Sequence, residues 1–244
     1  ANDPRSMPYE FELQNSVLFE GVASVVNGRF DFSFVVPKDI AYDYGPGKIS
    51  YYATDSIFDA TGAFKNFIIG GFDDQTATDQ TGPDIDLYLN DSLFRNGSII
   101  NNQPVMLAYL SDPSGINAAG TGIGHDIIAT LDGNYTNSII LNPHYVPVVD
   151  DFTSGSIEFP LGNMEEGLHT LELKAWDMYN NSSTKAIEFH VSNKLPVKME
   201  QVFNYPNPFS DETWFTFRHN QFGDDLSVEI EIFNFNGQLV RTIG

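Results

Sequence analysis

Phe30, Phe32, Phe34 and Val36 alternate with Asp31, Ser33 and Val35, a period of two that puts three aromatic rings on one face of a strand. Ile49, Tyr51 and Ala53 repeat the pattern after the Gly45-Pro46-Gly47 turn, and Phe67-Ile68-Ile69 ends at Gly70-Gly71. Ile85, Leu87 and Leu89 alternate with Asp84, Asp86 and Tyr88. Leu171, Leu173 and Ala175 stand opposite Thr170, Glu172, Lys174 and Trp176, and Ile187, Phe189 and Val191 close that block. The residues expected to point inward are therefore Phe30, Phe32, Phe34, Ile85, Leu87, Leu89, Leu171, Leu173, Ile187 and Phe189. No apolar series runs at helical spacing long enough for an amphipathic helix. Short strands separated by Gly, Pro, Asn and Asp clusters predict an all-β chain of tandem antiparallel β-sandwich (Ig-like) modules.

Two polar, proline-bearing stretches divide the strands: Asp73 to Pro83, and Ser192 to Lys198. They predict three modules, 1–72, 83–192 and 200–244, with no common period that would make the chain a solenoid. In the last module Asn204-Tyr205-Pro206-Asn207-Pro208-Phe209 is extended, because its prolines fix φ and exclude helix. Two alternating strands follow, at Thr213–Phe217 and Val228–Val240, the second interrupted by an Asn236-Gly237 turn.

Charge narrows the partners. Twelve Lys plus Arg against thirty-three Asp plus Glu give a formal net charge of -21, which repels the phosphates of nucleic acid and of anionic lipid surfaces. Nucleic acid is excluded as an expected partner. No stretch approaches the roughly 18 apolar residues of a membrane span, and Ala1 to Tyr9 carry neither the basic nor the apolar region of a signal peptide. The chain has no cysteine, so it contains no disulfide, thiolate metal site or cysteine nucleophile.

Candidate chemistry is sparse. His125, His144, His169, His190 and His219 are scattered, without a His-Glu-x-x-His pattern, and no Gly-x-Ser-x-Gly elbow is present. His190 falls on the polar side of its strand. The adjacent His125-Asp126 reads as a turn-fixing histidine rather than an acid/base or metal group. Asp73, Asp74, Asp79, Asp84 and Asp86 crowd the first linker, and hard oxygen donors there fit a calcium ion that stiffens the joint. Trp176 and Trp214 are the candidate sugar platforms, with core or edge packing the plainer reading.

The terminal order of Asn204–Phe209, the Trp214–Phe217 strand and the Gly237-Gln238-Leu239-Val240 hairpin resembles the start of the sorting domain carried by cargo of the type IX secretion system. Members of that family continue into further strands, so 200–244 is expected to be the first half of such a domain. A more extensive resemblance covers the rest. Phe34–Tyr42, Gly47–Ala53, Gly82–Asp91, Leu110–Asn117, Gly122–Ile127 and Leu131–Asn134 are similar, in this order, to the region that follows the peptidase domain in type IX secretion sortases, the PorU-type signal peptidases. In that family a gingipain-like cysteine peptidase lies upstream, and none of its catalytic residues has a counterpart here.

The resemblance implies a non-catalytic accessory and targeting region of a cell-surface cysteine peptidase that removes sorting domains from secreted cargo. It implies as partners the outer-membrane β-barrel shuttle, other type IX components, cargo and the upstream peptidase domain. The location it implies is the surface of a Gram-negative bacterium. The alternative is a binding module, adhesin or carbohydrate-binding, of another type IX-secreted protein. Asp55-Ser56-Ile57 and Asp91-Ser92-Leu93 are similar to the O-glycosylation acceptor of exported Bacteroidetes proteins.

Overall fold

The structure, a computed structural model, describes residues 17–38, 40, 43–71, 79–120, 124–193, 195–221 and 225–244. It is built almost entirely of strands. Among the described residues, helix is confined to two single 3-10 turns at Tyr135–Asn137 and Asn142–His144, and no helix is long and apolar enough to cross a membrane.

In the first part, β1 (Gly45–Pro46), β2 (Ile49–Thr54), β3 (Asp59–Phe64) and β4 (Ile68–Ile69) make two antiparallel pairs, β1 with β4 and β2 with β3. The β2–β3 turn is fixed locally. The Asp55 carboxylate accepts the backbone N–H of Ile57 at 3.0 Å and of Phe58 at 2.7 Å, which lets Ser56 sit at a φ of 75°. These same hydrogen bonds, Phe58 first, hold the Asp55 carboxyl below its usual range.

The expected inward strand at residues 30–36 is corrected here. Phe30, Phe32 and Phe34 do share a face, with successive ring centroids 6.3 Å apart, and Phe19 stacks on Phe34 at 4.5 Å. Yet residues 30–36 join no ladder, and Phe30 and Phe32 remain 42% and 43% exposed. Alternation fixed which side chains point together, but among the described residues only single rings, Tyr51 on Phe30 and Phe19 on Phe34, pack against them rather than a second sheet.

The middle part is a two-layer sandwich. β5 (Asp84–Leu89), β6 (Ile99–Ile100), β7 (Val105–Ser111), β8 (Ile128–Leu131), β9 (Ile139–Ile140), β10 (Tyr145–Pro147), β11 (Ser154–Pro160), β12 (Gly167–Trp176) and β13 (Ser182–Val191) follow in order. One sheet has the order β10-β11-β7-β5 and the other β6-β13-β12-β8-β9. All neighbours are antiparallel except β6 with β13.

Alternation acts here as the sequence predicts. Ile85, Leu87 and Leu89 of β5 and Met106, Ala108 and Leu110 of β7 meet Leu171, Leu173 and Ala175 of β12 and Ile187, Phe189 and Val191 of β13 in one buried cluster. Each large side chain so buried contributes about 1.5–3 kcal/mol. On the outer face of the edge strand β5, Asp84 and Asp86 are exposed, and their charge discourages pairing with another chain. Gly155 of β11 leaves room for the Tyr145 ring, since a Cβ there would lie 2.3 Å from its Cζ.

The first part lies against this sandwich. The Asp150 N–H donates to the Val22 carbonyl at 2.9 Å, and the Asp150 carboxylate accepts the Ser24 N–H at 2.7 Å. The Lys38 N–H donates to the Met178 carbonyl at 3.0 Å.

The last part consists of two separate hairpins, β14 (Met199–Tyr205) with β15 (Trp214–His219) and β16 (Ile230–Phe233) with β17 (Leu239–Ile243). The turn at Asn236-Gly237 forms as its sequence requires. The Asn234 side chain accepts the N–H groups of Asn236 and Gln238, and Gly237 takes a φ of 78°. Val202, Phe203, Tyr205, Trp214, Phe233, Leu239 and Val240 are exposed along the two hairpins.

Candidate functional site

The antiparallel pairing of Asp84 with Ser111 places the start of β5 beside the end of β7, and a bridge between Ile116 and Asp177 brings the β12–β13 turn to the same end of the sandwich. Three carboxylates meet there. Oxygens of Asp79, Asp112 and Asp177 lie within 4.8 Å of one another, and Asp112 and Asp177 are buried. Each is fixed by its own loop. Asp79 accepts the Thr81 N–H and hydroxyl at 3.0 and 2.9 Å, and Asp112 accepts the Ser114 N–H at 2.7 Å. The Asp177 Oδ1 accepts the N–H groups of Tyr179 and Asn181, and its Oδ2 accepts the Asn181 amide.

Burial pushes the Asp112 carboxyl up, and the charges of Asp177 and Asp79 add to it against the hydrogen bonds from Ser114. The Thr81 hydrogen bonds hold Asp79 down. Carboxylates this close repel by about 1–4 kcal/mol per pair between water-like and surface-like dielectrics. Three converging oxygens are at most half of the six to eight that a calcium ion takes, with carbonyls and water as the usual remainder.

This trio differs from the five aspartates expected at the first linker. Asp79 is the member common to both. Asp84 and Asp86 lie on the solvent face of β5, and Asp73 and Asp74 fall outside the described residues. Asp112 and Asp177 were missed because each reads as an ordinary turn starter, in Asp112-Pro113-Ser114-Gly115 and Asp177-Met178-Tyr179-Asn180. Only the strand pairing brings them together.

His169 has the pairing of a relay histidine but not its free nitrogen. His169 pairs with Asp132 at 2.8 Å, as a triad histidine would with its carboxylate, but its Nε2 is occupied by the Glu165 carbonyl at 2.9 Å. No ring nitrogen of His169 is left to take a proton from a nucleophile. His190 is exposed on the outer face of β13, as its strand position predicts. His125 packs against Trp176, ring centroids 4.3 Å apart, and the Lys174 ammonium also lies 4.3 Å from that ring. Trp176 is thus a packed residue rather than an open platform, whereas Trp214 is 60% exposed. Ser56 and Ser92 both stand at exposed turns in which the preceding aspartate accepts the N–H two residues on.

A cleft of about 150 Å³ between residues 18–22 and the sandwich is lined by Phe19, Ile116, Tyr145, Phe152 and Met178. It is smaller than the roughly 300–1,000 Å³ of a typical small-molecule site.

No protein-family model and no curated protein matches the chain. Among solved structures, dimeric latent PorU from Porphyromonas gingivalis is similar, with 35% sequence identity and a TM-score of 0.50 over 88% of this chain and 20% of the PorU chain. The chain spans about a fifth of PorU, and over nearly all of its own length it is related to that region.

Proposed function

We propose that this chain is the non-catalytic accessory and targeting region of a type IX secretion sortase, a cell-surface cysteine peptidase that removes sorting domains from cargo. The observation that carries this reading is the 35% identity to PorU over 88% of the chain. In this role the sandwich positions a peptidase domain encoded upstream. Residues 200–244 begin a sorting domain that engages the outer-membrane β-barrel of the export machinery. The mature protein resides at the outer surface of a Gram-negative cell, where it meets secreted cargo. The uncovered apolar faces of the two C-terminal hairpins support this reading, because a partial sandwich needs further strands or a neighbour to cover it.

Deletion from Glu200 onward in the full-length protein tests it. The truncated product should keep its upstream modules folded and accumulate in the periplasm. Arrival at the cell surface at the normal level overturns the sorting role. Saturable binding to a glycan array, without capture of the outer-membrane barrel, would favour a carbohydrate-binding module instead.

Calcium belongs to the same reading as an ion that stiffens the joint ahead of β5, held by Asp79, Asp112 and Asp177. Their convergence supports it. Isothermal titration of chelator-treated protein, with melting followed in parallel, should give saturable binding and a raised midpoint that Asp112→Asn abolishes. A flat titration removes calcium from the proposal.

A further inference from the structure

The chain passes from one sheet of the sandwich to the other through residues 161–166, between β11 and β12. This crossover is held at three points. The Leu161 N–H donates to the Pro104 carbonyl at 3.0 Å, and the N–H of the buried Met164 donates to the Asn102 carbonyl at 2.9 Å. The third is the Glu165 carbonyl, 2.9 Å from the Nε2 of His169 near the start of β12.

The other face of the same imidazole is equally constrained. Its Nδ1 lies 2.8 Å from Asp132 Oδ2 in the turn after β8. Asp132 is itself fixed: its Oδ1 accepts the Thr170 N–H at 2.9 Å, and its own N–H donates to the Thr170 carbonyl at 2.9 Å. From β13 the group facing His169 is neutral, the Phe189 ring stacked at 5.8 Å. Among the described residues, the charged groups around the imidazole are Asp132 from the β8 turn and Glu165 from the crossover.

Both nitrogens thus face oxygens that can only accept. A carboxylate and a peptide carbonyl offer no proton, whereas a neutral imidazole has one N–H and one lone pair. In either neutral tautomer one lone pair would be directed at an acceptor oxygen. Only the imidazolium donates to both. From this geometry we infer that His169 is a protonated clasp, and that loss of its proton releases the crossover between the two sheets.

Burial opposes the charge and is the largest influence on the group. The Asp132 and Glu165 hydrogen bonds, helped by the charges of both residues, outweigh it and raise the pKa above the ordinary histidine value. A raised folded-state value means that the clasp stabilises fully below the unfolded pKa of about 6.5, and that this stabilisation fades as pH rises through the folded value. On deprotonation the remaining N–H stays with the Asp132 carboxylate, the stronger charge-assisted partner. The bond to the Glu165 carbonyl is the one lost, and the crossover keeps only its Leu161 and Met164 anchors.

The test follows the imidazole nitrogens of the complete chain by NMR across pH, with the other four histidines as internal references. The His169 titration should lie above the ordinary histidine value of about 6.5, and below it both ring nitrogens should carry protons. In parallel, hydrogen exchange corrected for its intrinsic pH dependence should show the amides of Glu165–Leu168 losing protection in the same pH window. Asp132→Asn should lower the His169 pKa by about one unit, as expected for removal of an adjacent opposite charge. It should shift the loss of protection downward equally. A His169 titration at or below the ordinary histidine value, or one that leaves crossover protection unchanged, overturns the inference. Both outcomes can be read in the parent protein alone should Asp132→Asn not fold.

Discussion

Phe189→Ala and Phe32→Ala make a paired experiment, because the sequence pattern treats the two residues alike and the structure does not. Phe189 is fully buried between the sheets, so truncation removes its transfer energy and leaves a cavity. The combined loss should be about 3–5 kcal/mol. At roughly 4 °C or more per kcal/mol for a cooperative unit of about 100 residues, the midpoint should fall by about 12 °C or more. Phe32 keeps 43% of its surface exposed and stacks on Phe30 and Phe34. Half-burial of a phenylalanine and two partial ring contacts give about 1–2 kcal/mol at most. Chemical and thermal unfolding followed by circular dichroism, with unchanged m-values as the control for two-state behaviour, measures both. A Phe189→Ala variant that melts within about 1 kcal/mol of the parent would refute the placement of the core. Equal losses for the two variants would show that a layer covers the Phe30, Phe32 and Phe34 face in solution.

Three further outcomes are expected. Gly82→Ala should destabilise by about 1–3 kcal/mol as an overpacked close contact, since its Cβ would lie 2.4 Å from the Ser182 carbonyl carbon; an unchanged midpoint in thermal unfolding would show that the segment ahead of β5 yields freely. Limited proteolysis read by mass spectrometry should cut first between Asp73 and Pro83 or between Ser192 and Lys198, and a first cut inside 85–190 would mean that the middle module is misdrawn. Mass spectrometry of protein from its native host should find glycan on Ser56 and Ser92, whose turns present both residues to solvent; unmodified serines would end that assignment.

The middle sandwich was legible because β5, β12 and β13 alternate strictly and each has a second apolar layer waiting for it. Phe30, Phe32 and Phe34 show where such reading stops: a period of two states which side chains share a face, and says nothing about what lies opposite. The carboxylate trio was illegible for another reason. Asp112 and Asp177 come from loops whose proximity depends on the pairing of β5 with β7 and on the Ile116–Asp177 bridge, which are long-range facts of topology. His169 was visible as a lone histidine, but its two acceptors come from the β8 turn and the crossover. Nothing in its immediate neighbours announces both.

The contacts that seat the first part on the sandwich join Val22 and Ser24 to Asp150, and Lys38 to Met178. Such partners are separated by well over a hundred positions, so closing them carries the entropic cost of a long loop and comes late in folding. During synthesis the aromatic row at 30–34 emerges well before Asp150 and Met178, the residues that anchor its flanks to the sandwich, have been made. Over that interval it is an apolar, unpaired segment of the kind that chaperones hold and that aggregates form around. Slowing translation between β4 and β13 should therefore lower the soluble yield more than the same delay placed after Val191.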